Sequence, residues 1–151
     1  FFFVIMFVGG CAGSTSCGIK IFRFQVLFEA VRQHINQVMY PHAIFRAKFN
    51  GRPIDPKVIA SVMSFMFLYV VSFGVIAVLL ILTGLDTTTA LSGAGSAISN
   101  VGPGLGTIIG PAGNYATLPE MAKWVLAAGM LLGRLELFTI MVLLLPRFWR
   151  T

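Results

Sequence analysis

Gly9-Gly10-Cys11-Ala12-Gly13-Ser14-Thr15 closes one apolar run and leads at once into another, and Ser99-Asn100-Val101-Gly102-Pro103-Gly104-Leu105-Gly106 lies between two long apolar segments. Neither stretch belongs in a helix interior, where each glycine costs about 1 kcal/mol and each proline about 3 kcal/mol. At membrane depth, irregular backbone persists only where it is buried in protein or lines a water-filled cavity. Two such stretches in one apolar chain therefore point to a lined pathway.

The surrounding composition supplies the membrane. Of 151 residues, 57% are hydrophobic and 11% charged, more apolar surface than a soluble domain can hide. The net charge is +6, and the bases cluster: Arg46, Lys48, Arg52 and Lys57 share one short polar segment with a single acid, Asp55, while Arg147 and Arg150 sit at the end. Both clusters flank apolar spans and read as cytoplasmic by the positive-inside rule. No basic face recurs elsewhere, so nucleic-acid binding is not expected. Cys11 and Cys17 are too few for a disulfide scaffold and read as small residues in tight packing. The apolar run to Val8 is too short to span a bilayer, which takes about 20 residues. With no initiator Met and no signal-peptide charge pattern, the sequence reads as the C-terminal part of a longer protein.

Along the chain, residues 1–8 read as the end of a half-length helix that stops at Gly9, with its negative C-terminal end aimed into the loop, where a cation is favoured. A second helix is expected from about Cys17, apolar through Phe28 and then polar. Because its apolar part is too short to cross, the spacing favours a broken span, partly unwound between Glu29 and Pro41 and open to water; the alternative is that the helix ends there and becomes a cytoplasmic loop. A basic connector follows over residues 46–56, with turn signals at Asn50-Gly51 and Asp55-Pro56. Asp55 is expected to cap the next helix, with Pro56 in its first turn. From Val58 to Leu85 there is no charge, enough to span. Thr87 or Thr88 is expected to cap a short helix from Ala90 to about Ser99. Residues 104–118 read as a loose connector, and a last helix is expected from Pro119-Glu120 to about Leu145, ending on the interface anchor at Phe148 and Trp149. The order is half helix, loop, helix; connector; helix, half helix, loop, helix. Internal repeats of this kind recur in membrane transporters. The three parts fall at 1–45, 46–56 and 57–151.

Arg134 and Glu136 fall inside the last span, where a charge costs from roughly 3 to 10 kcal/mol without water or a partner. Two residues apart, they do not share a helix face. Glu136 is a candidate partner for Lys20 or Arg23, which share a face three residues apart. Arg134 reads as a fixed positive charge facing the pathway, an electrostatic barrier to cations. His34 and His42 read as ordinary polar residues. No nucleophile–base pair, paired carboxylates, metal-ligand spacing or dinucleotide fingerprint is present. Enzyme chemistry and an organic cofactor are therefore not expected.

Three motifs in register, Gly-Gly-Cys-Ala-Gly-Ser-Thr-Ser-Cys-Gly-Ile-Lys at 9–20, Asn-Val-Gly-Pro-Gly-Leu-Gly at 100–106 and Gly-Arg-Leu-Glu-Leu-Phe-Thr at 133–139, resemble the Trk/Ktr/HKT superfamily of potassium transporters, and within it the bacterial TrkH branch. The resemblance covers essentially the whole chain. It implies an all-α integral membrane fold of helix–pore-loop–helix repeats around a central ion pore. About one and a half of the family's four repeats are present: the third from its pore helix onward, and all of the fourth.

The resemblance also implies a selectivity filter of backbone carbonyls, with Gly13 and Gly102 as filter glycines and the carbonyls of Cys11, Ala12, Ser14, Asn100 and Val101 beside them. It implies a gating loop in the broken helix, at Glu29, Arg32, Gln33, His34, Asn36 and Gln37, and an arginine beneath the filter at Arg134. Potassium is the expected transported ion. The expected partners are the remaining N-terminal repeats, a second copy in a homodimer, a cytosolic TrkA-like ring of nucleotide-binding regulatory subunits, and the lipid of a bacterial inner membrane. Two alternatives stay open at this point. One is a sodium-permeable relative, although a serine in place of a filter glycine goes with sodium and both positions here are glycine. The other is a non-transport membrane subunit whose glycine loops only pack helices.

Overall fold

The computed structural model describes residues 2–10, 18–40, 48–49 and 52–134. Its helices are α1 (Phe2–Ile5), α2 (Ile21–Met39), α3 (Pro56–Leu82), α4 (Thr87–Ser99), α5 (Gly106–Ile109) and α6 (Glu120–Arg134), with a 3-10 turn at Tyr115–Thr117. The connector carries a small antiparallel pair, β1 (Lys48–Phe49) with β2 (Arg52–Pro53), in which Lys48 faces Pro53 and Phe49 faces Arg52.

The 27-residue α3 organises the rest. It starts as its sequence dictates: the Asp55 carboxylate accepts the Lys57 N–H at 2.9 Å and Pro56 occupies the first turn, where its missing N–H costs nothing. At 1.5 Å per residue the helix is about 40 Å long. Among the described residues it is the one helix long and apolar enough to cross a membrane. Val62, Phe65, Tyr69, Ile76 and Leu80 form its buried stripe at helical spacing, while the opposite face exposes Met63, Phe67, Val70, Val78 and Leu82. Apolar residues on both faces are the pattern of a helix solvated by lipid or by further apolar segments.

Against that stripe lies α4, buried at Thr89, Ala90 and every residue from 92 to 99. Its side chains are small, so neighbouring backbones approach closely. On its other side α6 closes in, with Ala97 facing Gly129 and the backbone of Ile98 facing Gly133. A Cβ at Gly133 would overlap the Ile98 carbonyl oxygen, so only glycine fits. From the turn that follows α1, Phe7 packs edge-on against Tyr69 and Phe73 of α3, at 6.2 and 5.5 Å between ring centroids, and also lies against Gly95 of α4.

Several expected boundaries are corrected. The half helix does not run to Val8: α1 ends at Ile5, a turn follows, and Val8 pairs in parallel with Ile19. Helix α2 starts at Ile21, not Cys17. Residues 29–39, expected to be partly unwound, are continuous helix, and the break comes only at Tyr40. Proline acts on the residue before it, and Glu, Arg and Gln are good helix formers, so polarity alone does not open the helix. Asp86, not Thr87 or Thr88, caps α4, accepting the Thr88 N–H at 3.1 Å. Residues 104–118 are not loose: Gly104 N–H donates to Ile109 at 2.6 Å, Gly113 N–H to Gly110 at 2.9 Å, and Asn114 caps the 3-10 turn. Cys11, Cys17, His42, Glu136 and the end of the last helix lie outside the described residues.

Candidate functional site

The second glycine stretch forms the C-terminal end of α4. Asn100 adopts left-handed backbone (φ 52°, ψ 41°), a conformation asparagine tolerates better than most residues. Its N–H donates to Ala97 at 3.2 Å, and the Val101 N–H reaches back to Ser96 at 3.1 Å. These two bonds make a Schellman cap, which stops the helix and satisfies its last carbonyls. Gly102 follows at φ +105°, open only to glycine. Its N–H donates to the Ser96 hydroxyl at 3.1 Å.

Ser96 therefore takes two consecutive N–H groups, one on its carbonyl and one on its hydroxyl. In planar trans peptides the C=O points opposite to the N–H. With the Val101 and Gly102 N–H groups tied back to α4, the carbonyls of Asn100 and Val101, on those same two peptides, point away from α4. Neither accepts a hydrogen bond from a described group. The Gly102 carbonyl does: it accepts from the Tyr115 hydroxyl.

Three further tethers hold this turn. Asn100 donates its side-chain amide to the Met130 carbonyl of α6 at 3.0 Å. Ser99, the last helical residue, shares a buried 2.7 Å hydrogen bond with the Tyr69 hydroxyl of α3. Ser92 donates to Leu105 at 3.3 Å, tying the exit of the turn to the helix body.

The structure brings Asn100, Val101 and Gly102 together, and brings α6 up to them. Arg134 lies in the last described turn of α6, adjacent to Gly133 at the base of the loop, and is exposed. Glu29, Arg32, Gln33, His34, Asn36 and Gln37 lie along α2, apart from the turn. Gln33, His34 and Gln37 border a cavity of about 420 Å³ shared with Ile59 and Met63 of α3. Arg23, with Lys20 a candidate partner of Glu136, places its guanidinium over the Phe65 ring, 3.6 Å from the centroid, and Glu136 itself lies outside the described residues. Of the first loop, Cys11, Ala12, Gly13 and Ser14 lie outside the described residues, but its base is on view. Gly9 N–H donates to Ile19 at 2.9 Å, Ile19 N–H to Phe7 at 3.0 Å and Ile21 N–H to Gly10 at 3.3 Å. The two arms of that loop are thus paired as they enter and leave it.

Ser96, Tyr115 and Gly129 escaped the sequence reading, and Gly133 entered it only as the first residue of the third motif. For the two glycines the signal was there: Gly129-x-x-x-Gly133 is the spacing with which membrane helices pack closely. Ser96 carried none beyond its place one turn before the break. Tyr115 carried none, because its contact depends on how residues 104–114 fold back.

A spanning helix, a buried small-residue helix and an exposed glycine turn with outward carbonyls define an all-α membrane protein of the pore-loop kind. A profile of the TrkH family, described as a cation transport protein, matches residues 1–150, and the chain belongs to that family. It is 50% identical over 149 residues to the Trk system potassium uptake protein TrkI of Halomonas elongata, covering 99% of this chain and 30% of the relative. It is 38% identical over 144 residues to the Trk system potassium uptake protein TrkH of Salmonella typhimurium, covering 95% of this chain and 29% of the relative. The crystal structure of the potassium transporter TrkH from Vibrio parahaemolyticus superposes with a TM-score of 0.87 at 36% identity, over 98% of this chain and 31% of that one. The chain thus spans about 30% of the length of the curated relatives it matches.

Proposed function

We propose that this chain forms the C-terminal part of a potassium uptake protein, and that potassium passes through a filter of backbone carbonyls without covalent chemistry. The Asn100, Val101 and Gly102 carbonyls are one segment of that filter. Cys11, Ala12, Gly13 and Ser14 supply a second, and the N-terminal repeats of the same protein supply the rest. The observation that carries this reading is the double hold of Ser96 on the Val101 and Gly102 N–H groups, which turns two successive carbonyls off the helix together. Outward carbonyls of this kind replace the water shell of an ion. The potassium named for the relatives above, and glycine at both filter positions, favour potassium over sodium.

Arg134, at the loop base, is a fixed positive charge beneath the filter that raises the barrier to a resident cation. The gate is the polar half of α2, from Glu29 through Arg32, Gln33, His34, Asn36 and Gln37. This segment is helical in the present conformation, and a rearrangement of it would alter the pathway. The bases of residues 46–57 and Arg147 and Arg150 support a cytoplasmic position for the connector and the C-terminus, on one side of an inner membrane. A TrkA-like nucleotide-binding ring on that side and a second copy within the membrane complete the assembly.

The test is ion competition in the full-length protein, expressed in a strain without other potassium uptake. Gly102→Ser places a side chain on left-handed backbone and should lower potassium-over-sodium discrimination about tenfold, equivalent to about 1.4 kcal/mol. Unchanged discrimination would remove Gly102 from the filter.

A further inference from the structure

The geometry points to Tyr115 as a positioning residue that sets ion discrimination by holding the Gly102 carbonyl. The inference rests on the carbonyl-filter reading and adds to it a residue outside the loop. Four successive peptides define the turn. Two are fixed by the helix itself, through the Asn100 and Val101 N–H groups. The third is fixed by the Ser96 hydroxyl on the Gly102 N–H, and the fourth by the Tyr115 hydroxyl on the Gly102 carbonyl. Gly102 is thus held on both sides of its Cα. Nothing lies within 4 Å of where a Cβ would stand, so no packing contact limits its motion on that side. Glycine is the residue most free to rotate, and hydrogen bonds are what restrain it here.

Tyr115 is itself anchored. Its 3-10 turn is capped by Asn114, whose side-chain oxygen accepts the Ala116 N–H at 3.0 Å, and Leu118, buried in the core, donates its N–H to the Tyr115 carbonyl at 3.3 Å. The connector between loop and last helix is therefore a brace that delivers one hydroxyl to the filter turn. A carbonyl oxygen has two lone pairs, so the Tyr115 bond leaves one for an ion. A smaller cation requires the carbonyls to draw inward. A carbonyl tethered from outside resists that movement, and the resistance penalises sodium more than potassium.

The experiment compares the full-length protein with its Tyr115→Phe variant, which removes only the hydroxyl. Initial rubidium uptake is measured over a range of concentrations, with and without sodium as competitor, alongside membrane abundance. The expected result is that rubidium-over-sodium discrimination falls about fivefold, the size one ordinary hydrogen bond commands, with abundance kept. A fall in abundance or maximal uptake at unchanged discrimination would make Tyr115 a packing residue and overturn the inference. If Tyr115→Phe does not reach the membrane, Asn114→Ala, which loosens the same turn, is read in its place. Gly102→Ser run in parallel separates the two claims. A shift for Gly102→Ser without one for Tyr115 overturns the brace alone, whereas no shift for Gly102→Ser overturns the filter beneath it.

Discussion

The two glycine stretches look alike in sequence, and their described parts are fastened in different ways. Among the described residues, backbone hydrogen bonds close the base of the first: Gly9, Gly10 and Phe7 exchange them with Ile19 and Ile21, and Val8 bridges Ile19 in parallel. The second is carried on a helix end and fastened by side chains, with Ser96, Asn100, Tyr115 and Tyr69 each contributing a hydrogen bond. Backbone pairing depends little on which side chains are present. A side-chain frame depends on each one. The second loop is therefore the one whose geometry single substitutions should alter.

The largest effect should come from the α4–α6 contact that carries the second loop. Gly133→Leu would drive a side chain into the Ile98 carbonyl and the Asn100 amide, whose nitrogen lies 2.8 Å from where a Cβ would stand. Overpacking of this kind costs about 3 kcal/mol, and uptake should be lost with a lowered thermal midpoint in detergent. Wild-type uptake by Gly133→Leu would show that α6 does not set the loop.

Next is the buried pair at the helix end. Tyr69→Phe or Ser99→Ala alone removes one side of this buried hydrogen bond, at about 1–3 kcal/mol. The double variant removes both and should sit closer to wild type than the sum of the two singles. Strict additivity of the thermal midpoints would mean the bond contributes nothing to the fit of α4 against α3.

How much of this was legible in the sequence follows the same divide. Features set by local backbone chemistry could be read: the glycine and proline breaks, the Asp55-Pro56 helix start, the long uncharged span and the short helix ahead of Asn100. The reading failed where polarity stood in for conformation. Residues 29–39 include Glu29, Arg32, Gln33, His34, Asn36 and Gln37, but Glu, Arg and Gln pay little helix penalty, and α2 runs on to Met39. It failed again at residues 104–118, where a glycine-rich segment folds tightly through its own hydrogen bonds and delivers Tyr115 to Gly102. Long-range contacts of that kind leave no trace in spacing or composition. The Asp86 cap was missed by one position, because three threonines follow it, although an acid ranks above threonine at that site.

Asn100 distinguishes backbone from tether within the second loop. Asn100→Gly keeps the left-handed turn and loses only the bond to Met130, whereas Asn100→Ala loses both. The alanine variant should be less stable than the glycine variant by about 1 kcal/mol, the cost of left-handed backbone with a Cβ. Both variants should lower ion discrimination if the bond to α6 matters to the filter. If only Asn100→Ala does so, the turn conformation is what counts and the tether is incidental.

The smallest effect is expected at the base of the first loop, and it tests the contrast most directly. Val8 sits in the bridge, but its side chain is 48% exposed, and the bonds around it run between the backbones of Phe7, Gly9, Gly10, Ile19 and Ile21. Val8→Ala removes two methyl groups and none of those bonds. Its thermal midpoint should change by the equivalent of less than about 0.5 kcal/mol, and its ion discrimination not at all. Ser96→Ala, by comparison, deletes a hydroxyl that holds the Gly102 N–H, and should shift discrimination with a side-chain change of similar size. If the two variants shift discrimination equally, the loops are fastened alike, and the side-chain frame around Gly102 has no special hold on the ion path.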